Sequence, residues 1–244
     1  IMGQEIKVLG LVLQAGNIGE YDKRIVLLTK ERGRISAFAR GAKRATSPYA
    51  AACQPFTFGT FSLYEGKNSF NVMWAQVDNY FEELKKDLDL IYYASYFSEL
   101  ASYLTRENND EMQILKLLYQ SLRALEKKTI SPALIRLVYE IKVMAFYGLG
   151  MEVFQCVRCG KTENLTGFQP SEGGVVCSSC GKGELSVSPA TLYTLQFILC
   201  SPVEKLYTFR VSKEVHKELK DITKAFLGTQ IHHEFKSLIF LPES

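Results

Sequence analysis

Four of the six cysteines are arranged in two pairs that could hold a metal ion. Cys156 and Cys159 form one C-x-x-C pair, and Cys177 and Cys180 form a second pair after 17 intervening residues. A C-x-x-C turn brings two thiolates to one ion, and a second turn completes a tetrahedron of four soft sulfur ligands, the set that favours zinc. A glycine follows each pair, where a tight turn needs a permissive backbone. We therefore expect these four cysteines to bind one zinc ion.

The expected zinc ion is structural, because four cysteine ligands leave no open position for water or substrate. The three histidines, His216, His232 and His233, lie far from the cysteines in sequence. The segment 153–185 is too short to own a hydrophobic core, and metal binding would replace the missing core. Since we recognise no basic-then-apolar signal-peptide pattern, we expect the paired cysteines to hold metal rather than to form disulfides. The alternatives are a redox-active dithiol and a degenerate site that no longer binds metal.

A second candidate site is a basic stretch near the N-terminus. Residues 1–80 contain ten Lys/Arg and six Asp/Glu, whereas the rest of the chain is close to neutral. Phe38 and Tyr49 lie within or beside this stretch, and their rings could stack on bases. A positive groove with aromatic platforms is how proteins hold single strands without reading sequence. The alternative is a solvated basic face with Phe38 in the core. The basic residues are Lys23, Arg24, Lys30, Arg32, Arg34, Arg40, Lys43 and Arg44.

The sequence contains no catalytic motif that we can identify. A phosphate-binding glycine loop, an H-E-x-x-H motif and a nucleophile elbow are all missing. The acidic residues Glu82, Glu83, Asp87 and Asp89 are interpreted as a solvated helix start. The two unpaired cysteines, Cys53 and Cys200, are predicted to be small buried apolar residues rather than nucleophiles. We therefore expect a non-catalytic protein.

The first 80 residues are typical of β structure, with β-branched and aromatic runs separated by glycine-containing breaks. Five short strands in about 80 residues suit a small closed barrel. The Ser47-Pro48 pair, between the third and fourth runs, predicts a helix start, with serine as the N-cap. The five predicted strands are Ile6–Gln14, Ile25–Thr29, Ile35–Gly41, Phe56–Glu65 and Ser69–Tyr80.

From about residue 85 the apolar spacing changes to the helical period of three and four. Stripes beginning at Leu90, Leu115 and Leu134 predict three helices, and two more follow the cysteine segment. Ser131-Pro132 and Ser188-Pro189 are cap signals for two of the five. The predicted organisation is therefore a barrel (1–80), a helical domain (81–152), an inserted zinc module (153–185), and C-terminal helices (186–244) packing with the helical domain. The two long uncharged stretches contain polar residues and Pro, so neither is expected to span a membrane.

Several longer motifs resemble those of a known family. They are Gly10-Leu11-Val12-Leu13, Gly19-Glu20-Tyr21-Asp22-Lys23-Arg24 with Ile25–Thr29 after it, Gly33–Arg44 with Ser47 after it, Gln54-Pro55-Phe56, the two C-x-x-C pairs and Phe235-Lys236-Ser237-Leu238. In this order, and across essentially the whole chain, they resemble the RecO family of bacterial recombination mediators and DNA repair proteins. The four cysteines mark the zinc-bearing form of that family.

The resemblance implies an OB-fold barrel, a helical domain and a zinc module. It also implies binding to single- and double-stranded DNA, annealing of complementary strands, and partnership with RecR and with the acidic tail of the single-strand binding protein. Together these activities help load the recombinase RecA at gaps during recombination and repair of DNA damage. The implied location is the bacterial cytoplasm, in association with the nucleoid. The positions that correspond to the family's basic barrel surface are, in this sequence, Lys23, Arg24, Arg32, Arg34, Arg40, Lys43 and Arg44.

Two alternatives come from other functional classes. One is an RNA-binding or transcription-associated protein with the same barrel and a zinc ribbon. The other is a metal-dependent enzyme with an open zinc site. For the acidic tail, the helical region should offer an apolar pocket with a basic rim, which we expect around Arg123, Arg136 or Lys142.

Overall fold

The structure is a computed structural model that describes residues 4–67 and 69–242. Contacts divide the chain into two compact units. The first unit runs to Lys127 and takes in the segment from Phe235 onwards, and the second unit is Lys128–Glu234. The third predicted helix therefore groups with the cysteine segment and the later helices rather than with the first two. The domain boundaries expected from sequence stay a prediction.

Five strands form a closed barrel at the start of the first unit, as predicted. Neighbouring strands follow the order β1-β2-β3-β5-β4, and β4 pairs back with β1. Every pairing is antiparallel except β3 with β5, where Ala37 lies opposite Phe70 and Phe38 lies opposite Asn71. This is the topology of an OB-type barrel. The strands are β1 (Gln4–Ile18), β2 (Asp22–Thr29), β3 (Gly33–Ala39), β4 (Phe58–Glu65) and β5 (Phe70–Asn79).

The barrel interior is filled by side chains that alternate along each strand. In β3, Ile35, Ala37 and Ala39 are buried, whereas Ser36 and Phe38 on the other face are only half-buried. This two-residue period is expected for a strand with one face in a core. The same core takes Val8 and Val12 from β1, Ile25 and Leu27 from β2, and Phe61 and Leu63 from β4.

The predicted helix at Ser47-Pro48 is wrong, because residues 40–57 form successive turns. The Ser47 hydroxyl is buried without a hydrogen-bond partner among the described residues, so it caps nothing. One helical turn is present, closed by the Cys53 N–H donating to the Tyr49 carbonyl at 3.1 Å. Pro55 and the left-handed Phe56 (φ 72°) follow at once, and neither continues a helix.

Two helices complete the first unit, α1 (Leu88–Leu104) and α2 (Met112–Lys127), as the apolar spacing predicts. Asp87 caps α1 by accepting from the Leu90 N–H. The ring of Tyr119 on α2 covers Phe58 on the outside of the barrel, with 4.5 Å between ring centroids. The late segment beginning at Phe235 also joins this unit. Its Phe235 ring lies edge-on to α1 residues Tyr96 and Tyr103, and the Ser237 N–H donates to Glu99.

The second unit contains three helices and a small sheet: α3 (Pro132–Tyr147), α4 (Pro189–Cys200), α5 (Lys213–Gln230), and the strands β6 (Leu165–Gln169), β7 (Gly174–Cys177) and β8 (Leu185–Ser186). Ser131 and Ser188 cap α3 and α4, which confirms both cap predictions. The α3 helix packs against α4 and α5, and Phe226 of α5 meets Phe168 of β6. None of the helices in the described ranges is long and apolar enough to cross a membrane.

The β2–β3 turn is held by the loop that follows α1, within the same unit. The Arg34 N–H donates to the Arg106 carbonyl and the Asn108 N–H donates to the Arg32 carbonyl, both at 2.9 Å. Gly33 sits between them in the left-handed conformation (φ 63°), and an added Cβ would lie 2.2 Å from the Arg106 carbonyl oxygen. The turn therefore requires glycine for two reasons, its backbone conformation and the space available.

Substituting Gly33 with alanine should destabilise the first unit by about 2–4 kcal/mol, because left-handed strain and a backbone clash act together. Gly19→Ala is the matched control, since Gly19 is also left-handed (φ 56°) but its Cβ would meet nothing within 4 Å. The control should lose only about 1 kcal/mol. Urea unfolding measures both variants, and equal losses would contradict the docking of residues 106–109 on this turn.

Candidate metal centre and nucleic-acid interface

The first cysteine pair lies in a tight turn just before the small sheet. The Gly160 N–H donates to the Cys156 carbonyl at 2.8 Å, and the Cys156 N–H donates to the Lys161 carbonyl at 2.7 Å. Gly160 is left-handed, with φ 74°. The second pair begins at Cys177, the last residue of β7, and continues through a short 3-10 turn to Cys180. Strand β7 thus fixes one end of the site, and the turns supply the bends that the sequence predicted.

The four sulfur atoms converge on one point. All four lie within 4.8 Å of one another, and the Cys159 and Cys177 sulfurs are 3.6 Å apart. Four sulfurs each about 2.3 Å from a central zinc ion would be separated by roughly 3.8 Å. The four sulfurs are therefore close enough to share a single tetrahedral ion. Among the described residues, this is the one group of three or more potential ligands found close enough to share a metal.

The backbone around the site favours thiolates. Burial opposes ionisation of Cys156, but hydrogen bonds from the backbone of Cys177, Arg158 and Cys159 lower its pKa to about 6. Burial also opposes ionisation of Cys177, and the Cys180 backbone helps to lower the pKa of that thiol. Thiolates are the form that binds metal. In contrast, hydrogen bonding with the Cys159 and Cys177 side chains raises the pKa of the Cys180 thiol to about 12, so the backbone favours the thiolate form at only two of the four cysteines.

Arg158, inside the first pair, ties both cysteine turns to the rest of the module. Its Nε and Nη2 groups donate to the Glu172 carboxylate at 2.8–3.1 Å, and Nη1 donates to the Cys180 carbonyl at 3.0 Å. The same contact with Glu172 raises the pKa of Arg158 and lowers the pKa of Glu172. A guanidinium here would also offset the negative charge of four thiolates if they held a divalent ion. Sequence reasoning missed this role of Arg158.

The two unpaired cysteines differ from each other. Cys53 is buried, as predicted, and burial raises the pKa of its thiol to about 11. The prediction for Cys200 is wrong, since it is exposed. Cys200 is the last residue of α4, where the helix ends at the surface. The apolar spacing of Leu192, Leu195 and Leu199 predicts the helix, but it does not predict the exposure of the last helical residue, Cys200.

The basic residues after β3 lie in a loop that is hydrogen-bonded to the β1–β2 turn. The Gly41 N–H donates to the Asp22 carboxylate at 2.7 Å, and the Lys43 N–H donates to the Tyr21 carbonyl at 2.9 Å. The Arg44 guanidinium lies over the Tyr21 ring, 4.7 Å from its centroid. Arg40, Lys43 and Arg44 are all exposed. We call the turn and the loop, residues 19–22 and 40–44, the basic loop cluster.

Tyr21 is a member of this cluster that sequence reasoning did not select. Its side chain is 44% exposed, and hydrogen bonding to Glu20 raises the pKa of its phenol. Tyr49, which was selected as a stacking platform, instead packs against the barrel core and donates its hydroxyl to the Arg40 carbonyl at 2.6 Å. The position of Tyr21 in a turn between two predicted strands could have identified it from the sequence. Tyr49, in contrast, lies in the segment that was wrongly predicted to begin a helix.

Lys23, Arg24 and Phe38 lie on the strands that lead into the basic loop cluster. Arg24 is directly opposite Phe38 on the neighbouring strand, and its Nη2 donates to the Ser36 hydroxyl at 3.0 Å. Phe38 is half-buried on the outer face, so it is not part of the barrel core. On the outer face of β2 and β3, Arg24 therefore lies beside Phe38.

Arg32 and Arg34, at the far end of the same strands, are engaged within the protein. Arg32 forms an ion pair with Glu65 at 2.7 Å. The Arg34 Nε donates to the Thr105 carbonyl at 3.1 Å, and burial lowers the pKa of its guanidinium. Both arginines hold the β2–β3 turn in place, which leaves the basic loop cluster as the more accessible cationic surface.

Two of the three residues around which a pocket for an acidic tail was expected are engaged within the second unit. Arg136 pairs with the buried Glu140 at 2.8 Å. Lys142 is buried, and its ammonium group donates to the carbonyls of Leu199 and Ser201 at 2.7 and 2.9 Å. Its role is to satisfy the end of α4 rather than to form a basic rim. Arg123 lies on α2 in the other unit.

A cavity of about 430 Å³ in the second unit has the expected pocket chemistry instead. Its walls are largely apolar and include Arg210, whose Nη2 donates to the Thr129 carbonyl at 2.9 Å. The lining residues from α4 include Tyr193 and Phe197, and those before and on α5 include Phe209 and Val215.

Replacing Cys156 with serine should abolish stoichiometric metal binding and destabilise the second unit by several kcal/mol, because binding energy at such a site is folding energy. The matched control is Cys200→Ser, which removes an exposed cysteine outside the cluster and should change neither property. Metal content after purification and urea unfolding measure the two effects. Full metal content and an unchanged unfolding midpoint in Cys156→Ser would exclude a structural metal at these residues.

Comparisons with known proteins match one family along nearly the whole chain. A family model described as Recombination protein O N terminal matches residues 2–78, and one described as Recombination protein O C terminal matches residues 85–239. A protein called DNA repair protein RecO from Thermoanaerobacter sp. (strain X514) is 31% identical over 240 residues, 97% of this chain and 96% of the relative. The protein of the same name from Alkaliphilus metalliredigens is 30% identical over 238 residues, covering 96% and 97% of the two chains. The chain thus belongs to the RecO family.

Proposed function

We propose that this protein is a non-catalytic DNA-binding recombination mediator that acts in DNA repair. In this role it anneals complementary single strands and helps load the recombinase onto DNA coated by single-strand binding protein. The observation that carries the proposal is the basic loop cluster, where Arg40, Lys43 and Arg44 are exposed at the edge of a closed barrel. The names of its relatives, DNA repair protein RecO, support the same biological process.

The basic loop cluster suits contacts to phosphates. Its cations come from one short loop whose backbone is fixed by hydrogen bonds to the β1–β2 turn, so little loop order remains to be gained on binding. Phosphate contacts of this kind are independent of sequence and supply most of non-specific affinity. A surface that neutralises phosphates on either of two strands also weakens the repulsion between them, which is what annealing requires.

We further propose that the four-cysteine site holds one structural zinc ion. Four sulfur ligands within 4.8 Å suit zinc best among common divalent metals. When bound, the ion supplies a rigid cross-link between two turns of a module with little core of its own. The turns, strand β7 and Arg158 then keep the module attached to α5 through β6. No ligand position would be left for substrate, in keeping with a non-catalytic role.

The expected partners are single- and double-stranded DNA, RecR, and the tail of the single-strand binding protein. For the tail, the cavity beside Arg210 is the better candidate, because an acidic and partly apolar peptide would meet apolar walls and one guanidinium. RecR remains a partner that the family resemblance implies. The proposed location is the bacterial cytoplasm, in association with the nucleoid.

Replacing both Arg40 and Lys43 with alanine should weaken binding to single-stranded DNA and reduce its salt dependence by about 1.4, since each lost phosphate contact on a single strand contributes about 0.7 to the slope. Fluorescence anisotropy across a salt series measures the slope. The matched control removes two exposed lysines elsewhere, Lys127→Ala with Lys205→Ala. An unchanged slope in the Arg40/Lys43 variant would place the DNA elsewhere.

The annealing proposal is tested with complementary DNA strands already coated with single-strand binding protein. We expect the protein to accelerate their annealing, and the Arg40→Ala, Lys43→Ala variant to lose most of the acceleration. A parallel competition between DNA and RNA oligonucleotides of equal length should favour DNA. No acceleration by folded, metal-loaded protein would contradict the mediator function, and a preference for RNA would favour an RNA-binding protein instead.

Reversing the charge of Arg210 with glutamate should weaken binding of a tail peptide about tenfold, because the peptide's acidic groups would then face a carboxylate. Tyr193→Ala, at a side chain that is 69% exposed, should weaken it without unfolding α4. Arg123→Glu is the matched charge reversal in the other unit and should leave the affinity unchanged. Isothermal titration gives the three affinities. A loss of affinity in Arg123→Glu, with none in Arg210→Glu or Tyr193→Ala, would place the site near Arg123 instead.

A further inference from the structure

The only tryptophan of the chain lies on the outside of the barrel. Trp74 is 49% exposed on β5, and its neighbour Met73 is 58% exposed. Adjacent strand residues normally point to opposite faces. Here the register with β4 shifts, since Ser62 lies opposite Trp74 and Leu63 lies opposite Val72. Met73 is therefore the extra residue of a β-bulge, a feature that re-aims side chains at functional surfaces.

Two further aromatic rings lie on the same outer face. Tyr64 on β4 is two residues from Ser62 and is 42% exposed, which makes it the diagonal neighbour of Trp74. Tyr64 lies opposite Asn71 of β5, and Asn71 lies opposite Phe38 of β3. Phe38 and Tyr64 are thus two strand spacings apart, about 10 Å. The three rings form a row across β3, β5 and β4, which we call the aromatic row.

Exposed aromatic residues are not unusual one at a time. The contrast within β4 makes this group informative. Phe58, near the start of the strand, also points outward, but the Tyr119 ring covers it at 4.5 Å. Tyr64, near the end of the same strand, keeps nearly half of its surface exposed. One end of the outer face is therefore packed against a helix, while the other end keeps its rings accessible.

Cations flank the aromatic row. Arg24 lies opposite Phe38. The exposed Lys7 on β1 lies opposite Ser62 of β4, and Ser62 in turn lies opposite Trp74 of β5. One acid, Glu5, lies opposite Tyr64, and it accepts a hydrogen bond from the Ser62 hydroxyl at 2.5 Å. The row begins at Phe38, one residue before β3 ends at Ala39 and the basic loop cluster follows. Charge and continuity both favour a nucleic-acid strand over an apolar partner.

We propose that Phe38, Tyr64 and Trp74 form a stacking platform for the unpaired bases of single-stranded DNA. The inference rests on the proposed DNA binding and adds how the protein distinguishes a single strand from a duplex. Phosphates are available in both forms, but only unpaired bases can turn their faces onto side-chain rings. Stacking is tolerant of sequence because every base has a π face, which suits a protein that acts on any gap.

Because Trp74 is the only tryptophan, the intrinsic fluorescence of the full-length protein reports on this platform directly. An oligo-dT titration should quench the emission, whereas a blunt duplex of the same length should bind with little quenching. Trp74→Ala should weaken oligo-dT binding about tenfold, and Trp74→Phe, which keeps an aromatic face, should restore most of that loss. The matched control is Tyr147→Ala, which removes a ring of similar exposure (44%) in the second unit.

The outcomes separate this inference from the proposed function. If oligo-dT binds and annealing proceeds while the fluorescence and the Trp74→Ala affinity are unchanged, the platform is refuted and the DNA-binding function stands. If neither single strand nor duplex binds at low salt, the proposed function fails and the platform fails with it. Equal quenching by duplex and single strand would also overturn the platform. Urea unfolding of Trp74→Ala confirms that the variant is folded before its affinity is compared.

Discussion

Closure of the barrel by the parallel pairing of β3 with β5 is the constraint on which the rest of the first unit depends. An open five-stranded sheet would present two edges with unpaired backbone groups. Two residue pairs, Ala37 with Phe70 and Phe38 with Asn71, bring those edges together. The same pairing buries Phe70 and Ala37 inside and sets Phe38 beside Asn71 outside. Both the core and the aromatic row therefore follow from one short stretch of hydrogen bonds.

Arginine and lysine residues that look equivalent in the sequence have different uses in the structure. Arg34 and Lys142 satisfy backbone carbonyls, and Arg158 links the two cysteine turns. Arg40 and Lys43 remain exposed on the basic loop cluster. The difference arises because a long cationic side chain within reach of unsatisfied carbonyls is worth more there than in solvent. Net charge near the N-terminus therefore overstates the number of cations available to a ligand.

Local signals in the sequence predicted much of this structure. The strands follow from β-branched and aromatic runs between glycine-containing breaks, α3 and α4 from helical apolar spacing with Ser-Pro caps, and the sulfur cluster from the spacing of the cysteines. Features that depend on distant parts of the chain were not predictable in this way. The engagement of Arg34 depends on a carbonyl 71 residues away, at Thr105. The bulge at Met73 depends on the register of β4. The cap signal at Ser47 is not followed by a helix, since Pro55 and the left-handed Phe56 end the one helical turn that forms.

The return of the chain to its first unit has a consequence for synthesis on the ribosome. The Phe235 ring packs against α1. In the order of the sequence, the second unit, Lys128–Glu234, comes between α1 and Phe235. A nascent chain emerges in order, so the second unit and its cysteine cluster can form while the first unit still lacks its last packing segment. During that interval the Tyr96 and Tyr103 rings lack their edge-on contacts with Phe235. The barrel-bearing unit, although it is translated first, is therefore the last to be completed.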